Sequence, residues 1–357
     1  MPACPRPRPS RTLPAPAPAA LALALALVLA LAGCQPARSP AGDGGADRPA
    51  TLSVGLVFDV GGRGDKSFND AAFAGLDSAK RELGIAYEVI EPGEGGDRES
   101  ALRQLAAGPS RVIFGIGFLF SDDIKAVARE FPAKQFACVD MNVAEGETLP
   151  PNLVALKFRE PEGSYLVGAL AGLVSKTGNV GFLGGMEIPL IKKFEAGYRA
   201  GVLAVRPRAR VQVKYAGTTG NAFKDPTKGK ELGLAMYGAG ADIVFHASGS
   251  TGLGLFEAAQ ERGALAIGVD SDQHESMPGH ILTSMVKRVD VCVYDTIRDA
   301  LQQRFPGGQV HEFGLADDGV GYVYDARNAA LIPPAARATV DSLRAEIVAG
   351  RIAVPAE

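Results

Sequence analysis

The sequence predicts an α/β protein with two lobes, each built on a doubly wound parallel sheet that helices cover on both faces. Short apolar runs alternate with amphipathic segments of helical spacing from Thr51 onward. This alternation stops at a Pro-containing break near residue 150 and then starts again. The length of 357 residues suits two domains of ordinary size. Strand–helix alternation of this kind is typical of parallel sheets that are buried on both faces.

The first series starts with the apolar run LSVGLVF (52–58) and the amphipathic segment FNDAAFAGLDSAKREL. We expect the segment RESALRQLAAG to form a helix that ends at Gly108, because glycine is common at helix C-termini. The other strands and helices predicted for this series are, in order, AYEVIE, RVIFGIG, SDDIKAVAREF and KQFACVD.

The second series follows the break EGETLPPN and the crossing segment LVALKF. It alternates in the same way and is followed by the strand HILTSMV, the helix VDVCVYDTIRDALQQRF, a β pair around HEFGLADDGVGYVY and a last helix. The predicted elements before HILTSMV are EGSYLVGALAGLVSK, NVGFLGG, PLIKKFEAGYRAGV, RVQVKYAG, DPTKGKELGLAMYGAGA, DIVFHASGS, GLGLFEAAQERG and ALAIGVD.

These two series define two lobes that the chain crosses between. We expect the first lobe to contain residues 51–157 plus about 280–310, and the second to contain residues 158–272 plus about 318–350. Parallel sheets bind ligands beyond the carboxyl ends of their strands, and a cleft between lobes is a usual small-molecule site. Loops that follow the predicted strands are therefore the places to look for function.

The N-terminal segment has the features of an export signal. Three arginines precede AALALALALVLALAGC (19–34), which is short for a membrane span but suits a signal peptide. It ends in Leu-Ala-Gly-Cys, which looks like a bacterial lipobox, so we expect residues 1–33 to be a lipoprotein signal peptide and Cys34 to be lipidated. An ordinary secretory signal with an incidental cysteine is the alternative. Residues 34–50 are rich in Ala, Gly and Pro, which predicts a flexible tether.

Composition and charge exclude several classes of protein. A hydrophobic content of 46% and a mean hydropathy of +0.07 indicate a globular core rather than disorder. The net charge of −3 offers no basic surface for nucleic acid. Cys138 and Cys292 each lie among apolar residues, which favours two buried free thiols, although a disulfide is open to an exported protein.

Motifs for catalysis, cofactors and metals are missing. The glycines at 61, 62 and 64 do not extend to G-x-G-x-x-G, and no Walker motif is present. Four histidines form no H-E-x-x-H, and Asp59, Asp65 and Asp70 lack the EF-hand spacing. The stretch ASGSTGLG (247–254) comes close to G-x-S-x-G without matching it. We therefore expect no cofactor, no metal and no enzyme.

Aromatic and polar residues instead follow the predicted strands. Phe68 has Asn69 beside it at a helix start, where Ser67 can serve as N-cap. Phe223 follows a strand of the second series, so one aromatic from each lobe could cover a planar heterocycle whose edges an amide reads. The alternative for each Phe is a core position. Carboxylates that could accept hydrogen bonds from a vicinal diol, or act as caps or turn residues, are Asp59, Asp140 and Asp270.

Three long stretches resemble the basic membrane protein family, whose members are lipoprotein substrate-binding components of ABC importers. The best-known branch of this family is the purine nucleoside receptor. The resemblance runs from about Leu52 to Ile347 and implies the type I periplasmic-binding fold, with two α/β lobes around a nucleoside cleft. The stretches that carry it are GGRGDKSFNDAAFAGL, GFLGGMEIPLIKKFEAGYRAGV and DPTKGKELGLAMYGAGADIVFHASGSTGLGLFEAA.

The resemblance also implies roles for single residues. In the D-K-S-F-N motif, Phe68 corresponds to the aromatic that stacks on the base and Asn69 to the contact with its edge, while Phe223 implies the second stacking face. Gly249 matches a glycine of the family's A-G-G-T-G-L-G turn, in which Ser250 here replaces another. The helical spacing of Phe194 favours a core position. The ligand-binding residues implied are Asp59, Ser67, Phe68, Asn69, Asp140, Phe223, Gly249, Asp270 for the ribose diol, and Lys287 near the ribose.

Together these features predict a monomeric, lipid-anchored receptor of the cell envelope. It would capture nucleosides, with purine nucleosides foremost, and deliver them to an ABC permease and its ATPase. Three alternatives stay open at this point. The same fold could bind a sugar or another heterocycle, the chain could be an exported enzyme, or it could be a regulatory or adhesive surface lipoprotein.

Overall fold

The computed structural model describes residues 51–92 and 97–357. The predicted signal peptide, Cys34 and the tether lie outside the described residues. All described residues belong to one compact unit, and none of their helices is long and apolar enough to cross a membrane.

Strands and helices alternate along the described chain in the order that the sequence pattern predicts. The strands are β1 (Ser53–Val57), β2 (Ala86–Ile90), β3 (Val112–Ile116), β4 (Gln135–Val139), β5 (Leu153–Phe158), β6 (Asn179–Met186), β7 (Arg210–Gly217), β8 (Ile243–Ala247), β9 (Leu265–Asp270), β10 (Ile281–Lys287), β11 (Val310–Phe313) and β12 (Val320–Tyr322). The helices are α1 (Phe68–Leu83), α2 (Arg98–Ala107), α3 (Ser121–Glu130), α4 (Glu160–Val174), α5 (Pro189–Val205), α6 (Pro226–Gly238), α7 (Thr251–Arg262), α8 (Val289–Leu301) and α9 (Pro334–Val348).

These strands form two six-stranded sheets of the same design. The first sheet has the order β2-β1-β3-β4-β5-β11, and the second has the order β7-β6-β8-β9-β10-β12. Neighbouring strands pair in parallel, except that β12 runs antiparallel to β10. The central strands are almost entirely buried, since helices pack on both faces of each sheet. The predicted architecture of two doubly wound α/β lobes is confirmed.

Crossings between the two sheets occur in the described chain after β5, after β10 and between β11 and β12. The sequence analysis placed residues from about 280 in the first lobe, which is wrong for β10, because this strand pairs with β9 and β12 in the second sheet. Helix α8, directly after it, does pack on α1 of the first lobe. The boundary therefore falls after Lys287. An apolar run such as HILTSMV predicts a strand but carries no signal of which sheet the strand joins.

Glycines let pairs of helices pack closely within each lobe. A Cβ atom on Gly75 of α1 would lie 2.2 Å from the backbone oxygen of Asp290 in α8. In the second lobe, a Cβ on Gly168 of α4 would lie 2.1 Å from the backbone oxygen of Tyr198 in α5. Within each lobe, the backbones of these two helices are therefore in direct contact.

The two cysteines outside the N-terminal segment lie deep in the fold. Cys138 on β4 and Cys292 on α8 are both buried and unbonded to each other. The prediction of two buried free thiols is confirmed.

Candidate ligand-binding site

A cavity lies between the lobes, at the carboxyl ends of the central strands of both sheets. Its empty space, including the opening to solvent, is about 580 Å³, which suits a small-molecule ligand. Eight of the nine residues predicted to bind ligand line it, and Ser67 does not. The lining residues are Asp59, Val60, Asp65, Phe68, Asn69, Gly117, Phe118, Asp140, Leu190, Ile191, Phe194, Phe223, Ala247, Ser248, Gly249, Val269, Asp270 and Lys287.

A hydrogen-bond network holds the loop between β1 and α1. The carboxylate of Asp65 accepts bonds from the backbone N–H groups of Ser67, Asn69 and Asp70, and from Nδ2 of Asn69 at 3.1 Å. The Oδ1 atom of Asn69 accepts the backbone N–H of Asp59 at 3.1 Å. These bonds fix the orientation of the Asn69 amide and leave its second N–H for a ligand. Asp65 is therefore an acid that holds the start of α1, and burial raises its pKa to about 6.

Ser67 occupies the N-cap position of α1, but its side chain does not cap the helix. Its φ of −145° and ψ of −120° lie outside the extended region usual for an N-cap. The hydroxyl donates instead to Oδ2 of Asp270 at 2.8 Å and lies 3.1 Å from the carbonyl oxygen of Val269. In return, the hydroxyl of Ser271 donates to the backbone oxygen of Ser67 at 3.0 Å. The predicted capping role is therefore wrong, and Ser67 joins the first lobe to the second.

Lys287, the last residue of β10, is the centre of a buried charge cluster. Its Nζ atom lies 2.6 Å from Oδ2 of Asp140 and 3.9 Å from carboxylate oxygens of Glu160 and Asp270. Burial alone would lower the pKa of Lys287, but the carboxylates of Asp140, Asp270 and Glu160 outweigh it and raise the pKa above its ordinary value. The lysine is therefore a cation that three acids hold at the edge of the cavity.

Glu160, the first residue of α4, was not predicted from the sequence. It is 1% exposed, and its Oε2 atom has no hydrogen-bond partner among the described residues. Burial raises its pKa, and the neighbouring Lys287 opposes the rise. No motif marks this glutamate, because its importance comes only from the crossing that brings it to the lysine.

Asp140 and Asp270 occupy equivalent places at the ends of β4 and β9. Both have left-handed backbone conformations, with φ of 58° and 64°. Such conformations are uncommon for residues other than glycine and concentrate at functional sites. Burial raises the pKa of Asp270, while Lys287 and the bond from Ser67 oppose this. Each lobe thus aims one carboxylate from the same point of its sheet into the cavity.

A third carboxylate of the cavity belongs to Asp59, directly after β1. Its Oδ1 atom accepts the backbone N–H of Val60 at 2.7 Å. A Cβ on Gly117 would lie 2.0 Å from its Oδ2 atom, so a glycine is needed there to make room for the carboxylate. Burial raises the pKa of Asp59 to about 7, against the opposing effect of the Val60 bond. Near neutral pH this group can either accept or donate a hydrogen bond.

Aromatic side chains from both lobes reach the cavity. Phe68 lies 4.8 Å from Nζ of Lys287, measured to its ring centroid. Phe223, from the second lobe, packs at 6.3 Å against Phe118 of the first lobe, with an angle of 64° between the rings. The sequence analysis did not single out Phe118, although it follows a strand like the predicted residues. Phe194 is 2% exposed and also lines the cavity, so it is both the predicted core residue and part of the cavity wall.

The turn after β8 accommodates the serine at 250 in an ordinary helical backbone conformation. Gly249 has a φ of +54°, and a Cβ there would lie 2.8 Å from the backbone oxygen of Phe223. Ser250 has an ordinary helical φ of −67°, and its hydroxyl donates to that same oxygen at 3.2 Å. The side chain that replaces a family glycine therefore introduces no backbone strain.

The lining of the cavity combines aromatic and polar groups. No group of three or more His, Cys, Asp or Glu residues within 51–92 and 97–357 could hold a metal ion. What the cavity offers is aromatic surface, several carboxylate acceptors, an amide and one cation. A neutral molecule with an aromatic ring and hydroxyl groups matches this set of contacts.

Comparison with known proteins points to one family. Residues 52–357 match the model of the Bmp family, described as ABC transporter substrate-binding protein PnrA-like. The chain is 36% identical to Basic membrane protein A of Borreliella afzelii, over 85% of this chain and 91% of that protein. It is 32% identical to the ABC transporter nucleoside-binding protein BmpA of Lactococcus lactis, over 91% of this chain and 95% of that protein. A solved solute-binding protein of an ABC transporter system from Aeropyrum pernix has a TM-score of 0.76 and 31% identity, over 86% of this chain and 94% of that chain.

Proposed function

This chain belongs to the Bmp family of ABC transporter substrate-binding proteins, and we propose that it captures nucleosides, with purine nucleosides foremost. One observation carries the proposal. The cavity combines aromatic side chains from both lobes with acids from both lobes and a buried lysine. The nucleoside-binding name of the Lactococcus lactis relative supports the same ligand class.

The proposed ligand lies with its base between Phe68 and Phe223, which come from opposite lobes. Stacking on an aromatic side chain contributes about 1–3 kcal/mol per base. The free N–H of Asn69 and the carboxyl group of Asp59 contact the edge of the base. Asp59 can serve either a donor or an acceptor on the purine, because its pKa lies close to 7.

The ribose lies by the charge cluster in this proposal. Asp270 accepts a hydrogen bond from a ribose hydroxyl, and Lys287 donates one. Asp140 contributes through its Oδ1 atom, which is buried and has no partner among the described residues. A neutral ligand suits this position, because Lys287 already has three carboxylates around it.

Ligand contacts with both lobes favour a closed receptor, and the permease recognises that form. Cys34 would carry the lipid that anchors the monomeric receptor in the cell envelope, with residues 34–50 as the tether. Replacing Cys34 with Ser should abolish incorporation of labelled fatty acid and release the protein from the membrane fraction. Unchanged labelling of the variant would reject the anchor.

Calorimetry with ligand-free protein tests the nucleoside assignment. The protein is unfolded, dialysed and refolded to remove retained ligand, and then titrated with inosine, guanosine, adenosine, cytidine, ribose and hypoxanthine. We expect the purine nucleosides to bind best, and a hundredfold excess over Kd to add about 2.7 kcal/mol to the free energy of unfolding. The proposal would be contradicted if ribose were the only compound to bind tightly, or if no purine nucleoside bound.

A further inference from the structure

A chain of hydrogen bonds behind the cavity ends on Ser248, a lining residue without a role in the function proposed above. The Oε1 atom of Gln273 accepts the backbone N–H of Val269 at 2.8 Å and lies 3.0 Å from Nε2 of His246. On the other side of the imidazole ring, Nδ1 of His246 lies 3.3 Å from the hydroxyl of Ser248. His246, Gln273 and Ser248 are each at most 1% exposed, so no bulk solvent competes for these bonds.

The backbone of Val269 fixes the direction of every bond in this chain. A backbone N–H can only donate, so the Gln273 atom that faces it must be the amide oxygen. That oxygen can only accept, and Nε2 of His246 must therefore carry a proton. Burial lowers the pKa of His246 to about 4, so the ring is neutral at physiological pH and Nδ1 keeps a lone pair. The hydroxyl of Ser248 then donates its only proton to Nδ1.

The fold provides room for this arrangement. A Cβ on Gly252, in the first turn of α7, would lie 2.0 Å from Cε1 of His246. The ring of Phe256 packs edge-on against the imidazole, with centroids 5.2 Å apart and an angle of 71°. The backbone N–H of Gln273 is held in turn by the hydroxyl of Ser284 at 3.0 Å. The imidazole is therefore fixed in position as well as in protonation.

We infer that Ser248 is a specificity residue whose oxygen accepts a hydrogen bond from a hydroxyl group of the ligand, and that His246 and Gln273 are positioning residues that impose this polarity. The inference rests on the proposed nucleoside function. Since the serine proton is directed away from the ligand, the lone pairs of Oγ remain for it. Ser248 lies next to Gly249 in the wall of the second lobe, so it selects for a ligand that donates at this point and against one that only accepts.

The protonation of the ring can be measured without any ligand. The intact protein is labelled with 15N-histidine, and the 15N shifts of the His246 ring show which nitrogen carries the proton. We expect protonated Nε2 in the wild type and in Gln273→Glu, which keeps an acceptor facing the ring. Gln273→Met removes the acceptor, and we expect the proton to move to Nδ1. Protonated Nδ1 in the wild type would overturn the polarity assigned to Ser248.

Binding to deoxynucleosides tests the contact with the ligand. Affinities of the wild type and Ser248→Ala are compared for inosine and for its 2′-deoxy, 3′-deoxy and 5′-deoxy forms. Loss of one hydrogen bond should weaken inosine binding about threefold to tenfold, with no further loss for the one analogue that lacks the donating hydroxyl. An equal loss for all four ligands, or no loss for any, would overturn the inference.

Ser250→Ala is the matched control, because Ser250 lies in the same turn but bonds to a backbone oxygen and does not line the cavity. It should discriminate among the four ligands as the wild type does. A wild-type protein that binds none of them would reject the nucleoside function and the ligand contact together. The 15N shifts would still decide the polarity of the chain, so the two failures can be told apart.

Discussion

The two lobes share one scaffold but contribute different chemistry to the cavity. Their sheets have the same strand order, and each ends its β4 or β9 strand on an aspartate with a left-handed backbone, Asp140 or Asp270. The connections after β1 and β6 differ. Residues 58–67 form the polar loop of the first lobe, whereas residues 187–188 alone join β6 to α5. Equivalent scaffolds therefore carry unequal connections, and the polar groups that each lobe brings to the cavity differ.

The largest loss of stability is expected on substitution of Lys287, the buried cation whose carboxylate partners come from both lobes. Lys287→Met leaves Asp140, Glu160 and Asp270 buried without a counter-charge, which should cost about 3–5 kcal/mol of unfolding free energy. Urea denaturation measures this loss of stability. The loss should become smaller as the pH falls, because burial raises the pKa of Glu160 and of Asp270 and both then become protonated. Lys125→Met is the control, since Lys125 is also mostly buried and pairs with Glu147 at 2.8 Å, away from the cavity. A Lys287 variant as stable as the wild type would show that the cluster does not depend on its cation.

The two equivalent aspartates offer the most direct comparison of the lobes. Asparagine tolerates a left-handed backbone, so Asp140→Asn and Asp270→Asn remove charge without adding strain. Asp140→Asn should lower the free energy of unfolding by about 1.5–3 kcal/mol, because it removes the direct charged hydrogen bond to Lys287. Asp270→Asn should lower it less, because the carboxylate of Asp270 lies 3.9 Å from the lysine. Chemical denaturation of both variants measures the difference. Equal losses would mean that the lobes share the lysine evenly.

Substitution of the aromatic side chains tests whether both lobes contact the base of the ligand. Phe68→Ala and Phe223→Ala should each weaken purine nucleoside binding by about 1–3 kcal/mol, or roughly fivefold to 150-fold, through lost stacking. Calorimetry on both variants, with Phe131→Ala as a control outside the cavity, measures the effect. If only one variant loses affinity, a single lobe holds the base.

A dependence of stability on pH is expected from Asp59 in the first lobe. Burial raises the pKa of Asp59 from 3.8 to about 7 in the folded protein, so the folded state binds more protons than the unfolded state between these values. The stability from Asp59 is present below pH 4 and is lost as the pH rises through 7. Asp59→Asn should therefore lose less stability than the wild type between pH 4.5 and 8. If the urea unfolding midpoints of the two proteins changed by the same amount with pH across this range, the effect of Asp59 would be ruled out.

Periodicity predicted the fold well because each buried strand and each amphipathic helix leaves a local pattern. Periodicity could not predict which sheet β10 joins, because sheet membership depends on the path of the chain rather than on the composition of the strand. Asp59, Asp140 and Asp270 could be placed at the cavity because residues after parallel strands gather at one edge.

Other parts of the site left no local signal. Glu160 reaches Lys287 only through a crossing between the lobes. The polarity of Ser248 is set by His246 and Gln273, and the glutamine is 25 positions away in the chain from the serine. Ser67 looked like an N-cap because residue type and position agreed, but its backbone angles turned the hydroxyl toward the other lobe. Contacts between distant segments decide these roles.

The charge cluster is built where the chain passes from one lobe to the other. Lys287 ends β10 just before one crossing, and Glu160 begins α4 just after another. Groups beside such crossings move little when the two lobes rotate relative to each other. The rings of Phe118 and Phe223 belong to opposite lobes and must separate. Rotation of the lobes away from each other would therefore break the contact between these rings, while Lys287 and Glu160 stay beside the crossings. We expect the energy needed to admit a ligand to depend on the contact between Phe118 and Phe223 and on the buried hydrogen bond from Ser67 to Asp270, which also joins the two lobes.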